Sequence, residues 1–188
     1  MSFFPAYFSL ENRKILLVGG GYIALEKLEK LVDFTKEITV ISKEVSVEFR
    51  DFAKIHNIPI EEKAYIEGDI LGYDIVIVAT DTVVLHKAIY AESRTTRILV
   101  NSVDDTAYCD FIFPSYIKKG DLTISVSTGG SSPAMAKRLR VYLEKLIPSA
   151  IEPFLKEMRG LRKTMPKGKE RMNFFEKKSD AFMKKYFK

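Results

Sequence analysis

One cysteine and two histidines are all that the 188-residue chain holds of those residue types. Cys109 alone cannot close an internal disulfide. With only His56 and His86 as imidazoles, the sequence offers no thiolate and imidazole set for zinc or an iron cluster. A reducing cytoplasm suits that composition. Long apolar runs are missing as well. The opening MSFFPAYFSLENRK has no basic segment ahead of its apolar residues and is interrupted by Pro5 and Glu11, so it reads as neither a signal peptide nor a membrane span. No later window reaches the length a span requires.

What is present is the composition of a folded protein: 46% hydrophobic, 29% charged and 12% aromatic residues, enough for one main domain with an appendage. The net charge of +5 is unevenly spread. Residues 156–188 carry 12 Lys/Arg against 4 Asp/Glu, which leaves residues 1–155 slightly acidic. The basic tail interleaves Phe174, Phe175, Phe182, Tyr186 and Phe187 with lysines, a composition also found on nucleic-acid and membrane surfaces. Helical projection brings Phe175, Phe182 and Tyr186 together with the lysines largely elsewhere. That is the pattern of a helix docked on its own protein, so neither nucleic acid nor membrane is the expected partner.

Along the chain, Lys14–Val18 is an apolar run that ends at Gly19, and the following segment sets Ile23, Ala24, Leu28, Leu31 and Val32 on one face at helical spacing. EITVI (37–41) is a second strand, and Val45–His56 a second helix. Short strands are expected at Ile58–Ile60 and Ala64–Ile66, a buried one at Ile75–Ala79, a helix at Val83–Glu92 and another strand at Ile98–Val100. Strands alternating with helices imply a parallel sheet covered on both faces. The pattern then changes: Phe111–Ile117 and Leu122–Thr128 flank a KKGD turn as an antiparallel pair. Ser132 and Pro133 open a helix whose stripe of Met135, Leu139, Tyr142, Leu143 and Leu146 runs to Pro148. Two more helices follow, over 149–163 and 169–186.

Gly19-Gly20-Gly21-Tyr22-Ile23-Ala24 fits G-x-G-x-x-A directly after a strand and at the opening of a helix. In that setting Gly19 permits the tight turn, Gly21 lets a diphosphate approach the backbone, and Ala24 allows close helix–strand packing. The free amides of Tyr22 and Ile23 then face the phosphates. The acidic residue that binds a ribose belongs about 20 residues on. Ser42, Lys43 and Glu44 stand there instead, so NAD and NADP are not distinguished by this feature. Ligands in such sheets bind beyond the carboxyl ends of the strands, which adds Thr80 and Asp81, and Asn101 to Asp105, to the candidate cleft. A carboxylate past the last of these strand tips suits proton transfer or stabilisation of positive charge left by a departing hydride. On this reading alone, Asp104 and Asp105 remain alternatives.

VGGGYIALEKLEKL, IVIVATD, LVNSVDD, CDFIFPS and STGGSSPAMAKRLR occur in an order and spacing that resembles the dehydrogenase domains of siroheme synthases, the precorrin-2 dehydrogenase and sirohydrochlorin ferrochelatase family. The resemblance covers residues 3–147 well and the tail loosely. It implies NAD-dependent oxidation of precorrin-2 to sirohydrochlorin, followed in some members by ferrous iron insertion, which would make the protein a lyase as well as an oxidoreductase. It also implies an α/β architecture in three parts: a Rossmann-like parallel-sheet domain (1–113), a small α+β dimerisation region of hairpin plus helix (114–147) that makes the protein a homodimer, and a helical C-terminal domain (148–188). The catalytic aspartate of the V-N-x-x-D element falls on Asp104. Cofactor contacts carry over to Tyr22, Ile23, Lys43 and Glu44, and the family's usual lack of the ribose acid removes that objection to NAD. The chain stops where larger members add a methyltransferase, so a standalone form is expected.

Precorrin-2 is polyanionic, and Lys137, Arg138 and Arg140, or the cations of the tail, are candidates to meet its carboxylates, with Asn101 and Thr128 as further substrate contacts. Three departures from the family pattern stand out: Glu26-Lys27 where Arg-Lys is common, His86 where an Asn falls, and Thr128 in place of a serine. The rival reading is a non-catalytic dinucleotide sensor, which needs the glycine turn but has no use for NSVDD or STGGSSPAMAKRLR.

Overall fold

A computed structural model of the chain describes residues 3–103 and 105–187. The described residues fall into two compact units that divide between Ile112 and Phe113.

The first unit is built on β1 (Ile15–Val18), β2 (Ile38–Ser42), β3 (Ile60–Glu62), β4 (Ile75–Val78) and β5 (Leu99–Ser102). They form one sheet in the order β3-β2-β1-β4-β5, and every pair is parallel. Parallel neighbours need crossover connections, supplied here by α1 (Tyr22–Leu31), α2 (Val47–His56) and α3 (Val83–Ser93). Covering both faces buries β1 and β4 along their whole length, which is why they read as unbroken apolar runs. Leu16, Val18, Val76, Val78, Val100 and Ile89 meet in one core cluster. The helices are set by local signals. Ala24, Leu28 and Leu31 form the buried stripe of α1, the Ser46 hydroxyl accepts from the Phe49 amide to start α2, and Asn57 ends it in the left-handed conformation. This is the Rossmann-like sheet expected from the sequence.

Three expectations for this sheet need correction. The strand expected at Ile58–Ile60 is β3 at Ile60–Glu62, because Pro59 has no N–H to give the ladder with β2. Ala64–Ile66 is not a strand but part of an irregular connection. Side chains take its polar groups instead of a ladder: Asp69 accepts from Lys63 Nζ and the Ile66 amide, while Glu92 accepts from the Tyr65 hydroxyl and the Gly68 amide. Burial, followed by the bond to Glu92, pushes the Tyr65 phenol well above its ordinary range. The last strand also lies further along than Ile98–Val100. Asn101 and Ser102 sit within β5, opposite Ile77 and Val78 of β4, rather than beyond its tip.

The second unit holds the antiparallel pair β6 (Ser115–Lys119) and β7 (Leu122–Val126), followed by α4 (Pro133–Leu146), α5 (Ile151–Thr164) and α6 (Lys169–Tyr186). The hairpin is shorter at both outer ends than its alternation suggested. Ser132 caps α4 by accepting from the Met135 amide, with Pro133 in the first turn. Lys119 Nζ donates to the Glu144 and Ile147 carbonyls at the end of α4, and Arg159 pairs with Asp121. Phe175 and Phe182 are buried, Phe182 stacks on Phe154 at 4.3 Å, and Lys178 reaches Glu157. The aromatic side of the basic tail therefore packs inside its own unit, as helical projection indicated. Among the described residues no helix is long and apolar enough to cross a membrane.

Candidate functional site

The turn between β1 and α1 is shaped by what a side chain would strike. A Cβ at Gly19, whose φ is +126°, would lie 2.1 Å from the Ala79 carbonyl oxygen. At Gly20 it would lie 2.6 Å from the Glu44 carbonyl oxygen and 2.9 Å from the Ser42 hydroxyl. At Gly21 it would meet nothing within 4 Å. The first two glycines let β1 pass close to its neighbours, while the third leaves open space beside the start of α1. Gly20, to which the motif gives no role, is thus as constrained as Gly19, and only the fold places Ser42 and Glu44 against it.

Gly21 caps α1 without a side chain, and the first turn of the helix carries no acidic residue. The opening amides of a helix have no carbonyl behind them, so those of Tyr22, Ile23 and Ala24 are donors at the positive end of the dipole. Donors, positive potential and an open backbone together fit a diphosphate.

Beside this turn lies a cleft of about 270 Å³. Ile23 contributes from α1, Ala79, Thr80 and Asp81 from the end of β4, Val83 and His86 from α3, and Val103 and Asp105 from beyond β5. The strand order reverses between β1 and β4, so their following helices leave to opposite faces and open a crevice there. Ile23, Thr80 and Asp81 are thereby brought together. Val103 and Asp105, also expected at the cleft, join them, as does Ala79 of the IVIVATD run; Val83 and His86 enter from α3 without a motif to announce it, His86 being visible only as a departure from the family pattern.

The other candidates are placed as follows. Ser42 donates to the Glu44 carbonyl at 2.6 Å and holds the loop after β2, where Lys43 and Glu44 are exposed. Asn101 is buried and does not line the cleft; its amide donates to the Phe111 carbonyl at 2.9 Å. Thr128 accepts from the Ser132 amide ahead of α4, and Lys137 and Arg138 are exposed on that helix, all three in the second unit. Asp105 lines the cleft but also caps the short turn at Thr106–Tyr108 through the Ala107 amide. Asp104 lies outside the described residues. Around this stretch Cys109 accepts from the Ser102 amide and shares its proton between the Ser102 and Asp105 carbonyls, and burial pushes the thiol up and keeps it a donor. No group of three His, Cys, Asp or Glu residues that could hold a metal ion occurs among the described residues.

Residues 6–115 match the model of a NAD(P)-binding family. The chain belongs to that family. Residues 119–146 match a second model, the central part of sirohaem biosynthesis proteins. The siroheme synthase of Pseudoalteromonas translucida (strain TAC 125) is 32% identical over 175 residues, covering 93% of this chain and 36% of the relative. That of Methylococcus capsulatus is 33% identical over 181 residues, covering 94% and 38%. The chain therefore spans little more than a third of the length of these relatives and corresponds to their N-terminal part. A solved structure of SirC, precorrin-2 dehydrogenase, superposes with a TM-score of 0.75 at 26% identity, over 90% of this chain and 85% of that one. The resemblance to siroheme synthase dehydrogenase domains read from the sequence is borne out by these likenesses.

Proposed function

We propose that the protein oxidises precorrin-2 to sirohydrochlorin with NAD. The observation that carries this reading is the open backbone at Gly21, set beside a cleft at the point where the sheet order reverses, in a chain whose fold is similar to SirC precorrin-2 dehydrogenase. NAD, when bound, supplies the acceptor for a hydride. The chain's own residues do the rest. Gly21 and the amides of Tyr22 and Ile23 hold the diphosphate, and Gly19 keeps the turn that presents them. Thr80 and Asp81 line the path beyond β4, with Ser42, Lys43 and Glu44 on the adenosine side. Oxidation of the macrocycle removes a hydride and a proton, and Asp104 takes the proton or stabilises the cation that precedes its loss. Lys137 and Arg138 attract the substrate's carboxylates and Thr128 contacts it, while Asn101, buried and bonded to the Phe111 carbonyl, holds the end of β5 instead.

The exposed apolar stripe of α4 supports a homodimer formed through the hairpin and α4, with α5 and α6 as the helical C-terminal part. A single, buried and hydrogen-bonded thiol suits a cytoplasmic protein. The decisive experiment mixes precorrin-2 and NAD with the protein and follows the absorbance of reduced nicotinamide, with and without ferrous iron, for the wild type and Asp104→Ala. Reduced nicotinamide should accumulate only with the wild type, while the variant keeps its NAD affinity. A spectral change that needs iron would add metal insertion. Silence from a wild type that binds NAD would instead favour a dinucleotide sensor.

A further inference from the structure

His86 is buried to 5% exposure in the second turn of α3, and its ring forms part of the cleft wall. Its Nε2 lies 2.7 Å from the Thr80 carbonyl oxygen. A carbonyl can only accept, so Nε2 carries the proton and donates. The other nitrogen, Nδ1, is shut off from water and has no hydrogen-bond partner among the described residues. Buried polar atoms are nearly always paired, and one left bare destabilises the fold. The bond to Thr80 gives Nε2 a structural reason to be there, but it leaves the acceptor at Nδ1 unaccounted for.

The other histidine shows the contrast. His56 receives Lys36 Nζ on its Nδ1 at 2.9 Å and packs on Phe52 with ring centroids 4.3 Å apart. Asn101 Oδ1 and Ser102 Oγ are also buried without a partner among the described residues, but of these three residues only His86 lines the cleft.

The placement says what it would pair with. In a doubly wound sheet the loop after β2 meets the adenosine ribose, and the β4 and β5 side receives the other mononucleotide half. His86 and Thr80 stand on that second side. We infer that His86 Nδ1 accepts a hydrogen bond from an N–H or O–H donor of the nicotinamide-ribose half of the dinucleotide, while Nε2–H holds the Thr80 turn in place to receive it. The inference rests on the reading of the cleft as a NAD site. It makes His86 a discriminating residue for the non-adenosine half, and the diphosphate remains with the glycine turn.

The test uses intact protein carrying 15N-histidine, whose two rings give two separable sets of long-range 1H–15N signals, with calorimetry run in parallel. Saturation with NAD should shift His86 Nδ1 from a bare acceptor toward a hydrogen-bonded one, leave Nε2 protonated and leave His56 unmoved. ADP should bind without moving Nδ1. ADP-ribose separates the two donors: a shift equal to that of NAD assigns a ribose hydroxyl, and none assigns the carboxamide. His86→Phe should raise the Kd for NAD about three- to tenfold with that for ADP unchanged, and His86→Gln should restore most of the loss. NAD bound with no change at Nδ1 overturns the inference and leaves the NAD site standing. Absence of NAD binding overturns both. Equal loss of ADP and NAD in His86→Phe marks a merely structural ring, and if that variant does not fold the wild-type spectra decide.

Discussion

Asp110 and Val100 bond to each other twice: the Asp110 amide donates to the Val100 carbonyl at 2.7 Å, and the Val100 amide donates to the Asp110 carboxylate at 2.8 Å. The chain thus leaves β5 and returns to Val100 ten positions later. Arg94 closes the arrangement with two bonds to the same carboxylate, at 2.9 and 2.6 Å. The Asp110 bonds, against a small cost of burial, raise the guanidinium above its ordinary range. Asp110→Ala leaves the Val100 amide without its partner and should cost about 2 kcal/mol of stability in urea unfolding. Arg94→Ala should cost less, because that amide keeps its acceptor and the arginine is 43% exposed. An Arg94 variant as unstable as the Asp110 variant would contradict this ordering.

The glycine turn predicts two opposite failures. Gly19→Ala drives a Cβ into backbone at a left-handed φ, with no flexible side chain to yield, so little folded protein should be recovered. Gly21 has a φ of −89°, which any residue adopts, and open space around it. Gly21→Ala should therefore unfold within about 0.5 kcal/mol of the wild type and yet lose NAD affinity by about tenfold or more. Thermal unfolding and calorimetry on the two variants separate the outcomes. NAD affinity intact in Gly21→Ala would remove the diphosphate from that turn.

Asp69 makes stability depend on acid. Partial burial raises its pKa, but the bonds from Lys63 Nζ at 2.7 Å and the Ile66 amide at 2.9 Å together outweigh burial and hold the carboxyl below its ordinary range. A carboxyl whose folded pKa is depressed stabilises fully above its unfolded value, about 4, and loses that contribution as pH falls through the folded value. Asp69→Asn should cost about 1 kcal/mol at about pH 7, and the gap to wild type should close as pH drops below about 4. A gap that stays constant across that range would mean that the carboxylate charge is not what holds the connection.

On α4, Met135, Leu139, Tyr142 and Leu146 are all exposed, Tyr142 to 60%. An apolar stripe of this kind on a surface helix marks a contact surface. Light scattering should find the wild type as a dimer and Leu139→Asp as a monomer whose unfolding is otherwise cooperative. A monomeric wild type would refute the proposed homodimer.

Much of this protein was legible in one dimension because its causes are local. The apolar runs of β1 and β4, the period of α1 and α2, the Ser132-Pro133 start of α4 and the glycine turn each follow from side-chain spacing and backbone freedom within a few residues. The same locality misled at Ala64–Ile66, where an apolar pair resembled a strand but distant Glu92 and nearby Asp69 took the hydrogen bonds. It also ended β5 two residues early, because Asn101 and Ser102 are polar, yet their backbones complete the ladder with β4.

The sequence by itself determined that a parallel, doubly covered sheet would form and that a bare backbone would head its first helix. Tertiary structure alone decided that Gly20 must be small against Glu44 and Ser42, that Gly19 must pass the Ala79 carbonyl, and that His86 enters a cleft shared with Ile23, Val103 and Asp105 with one nitrogen unpaired among the described residues. Those facts depend on contacts between segments far apart in the chain. Their cause is the close packing of one backbone against another, which no run of neighbouring residues encodes.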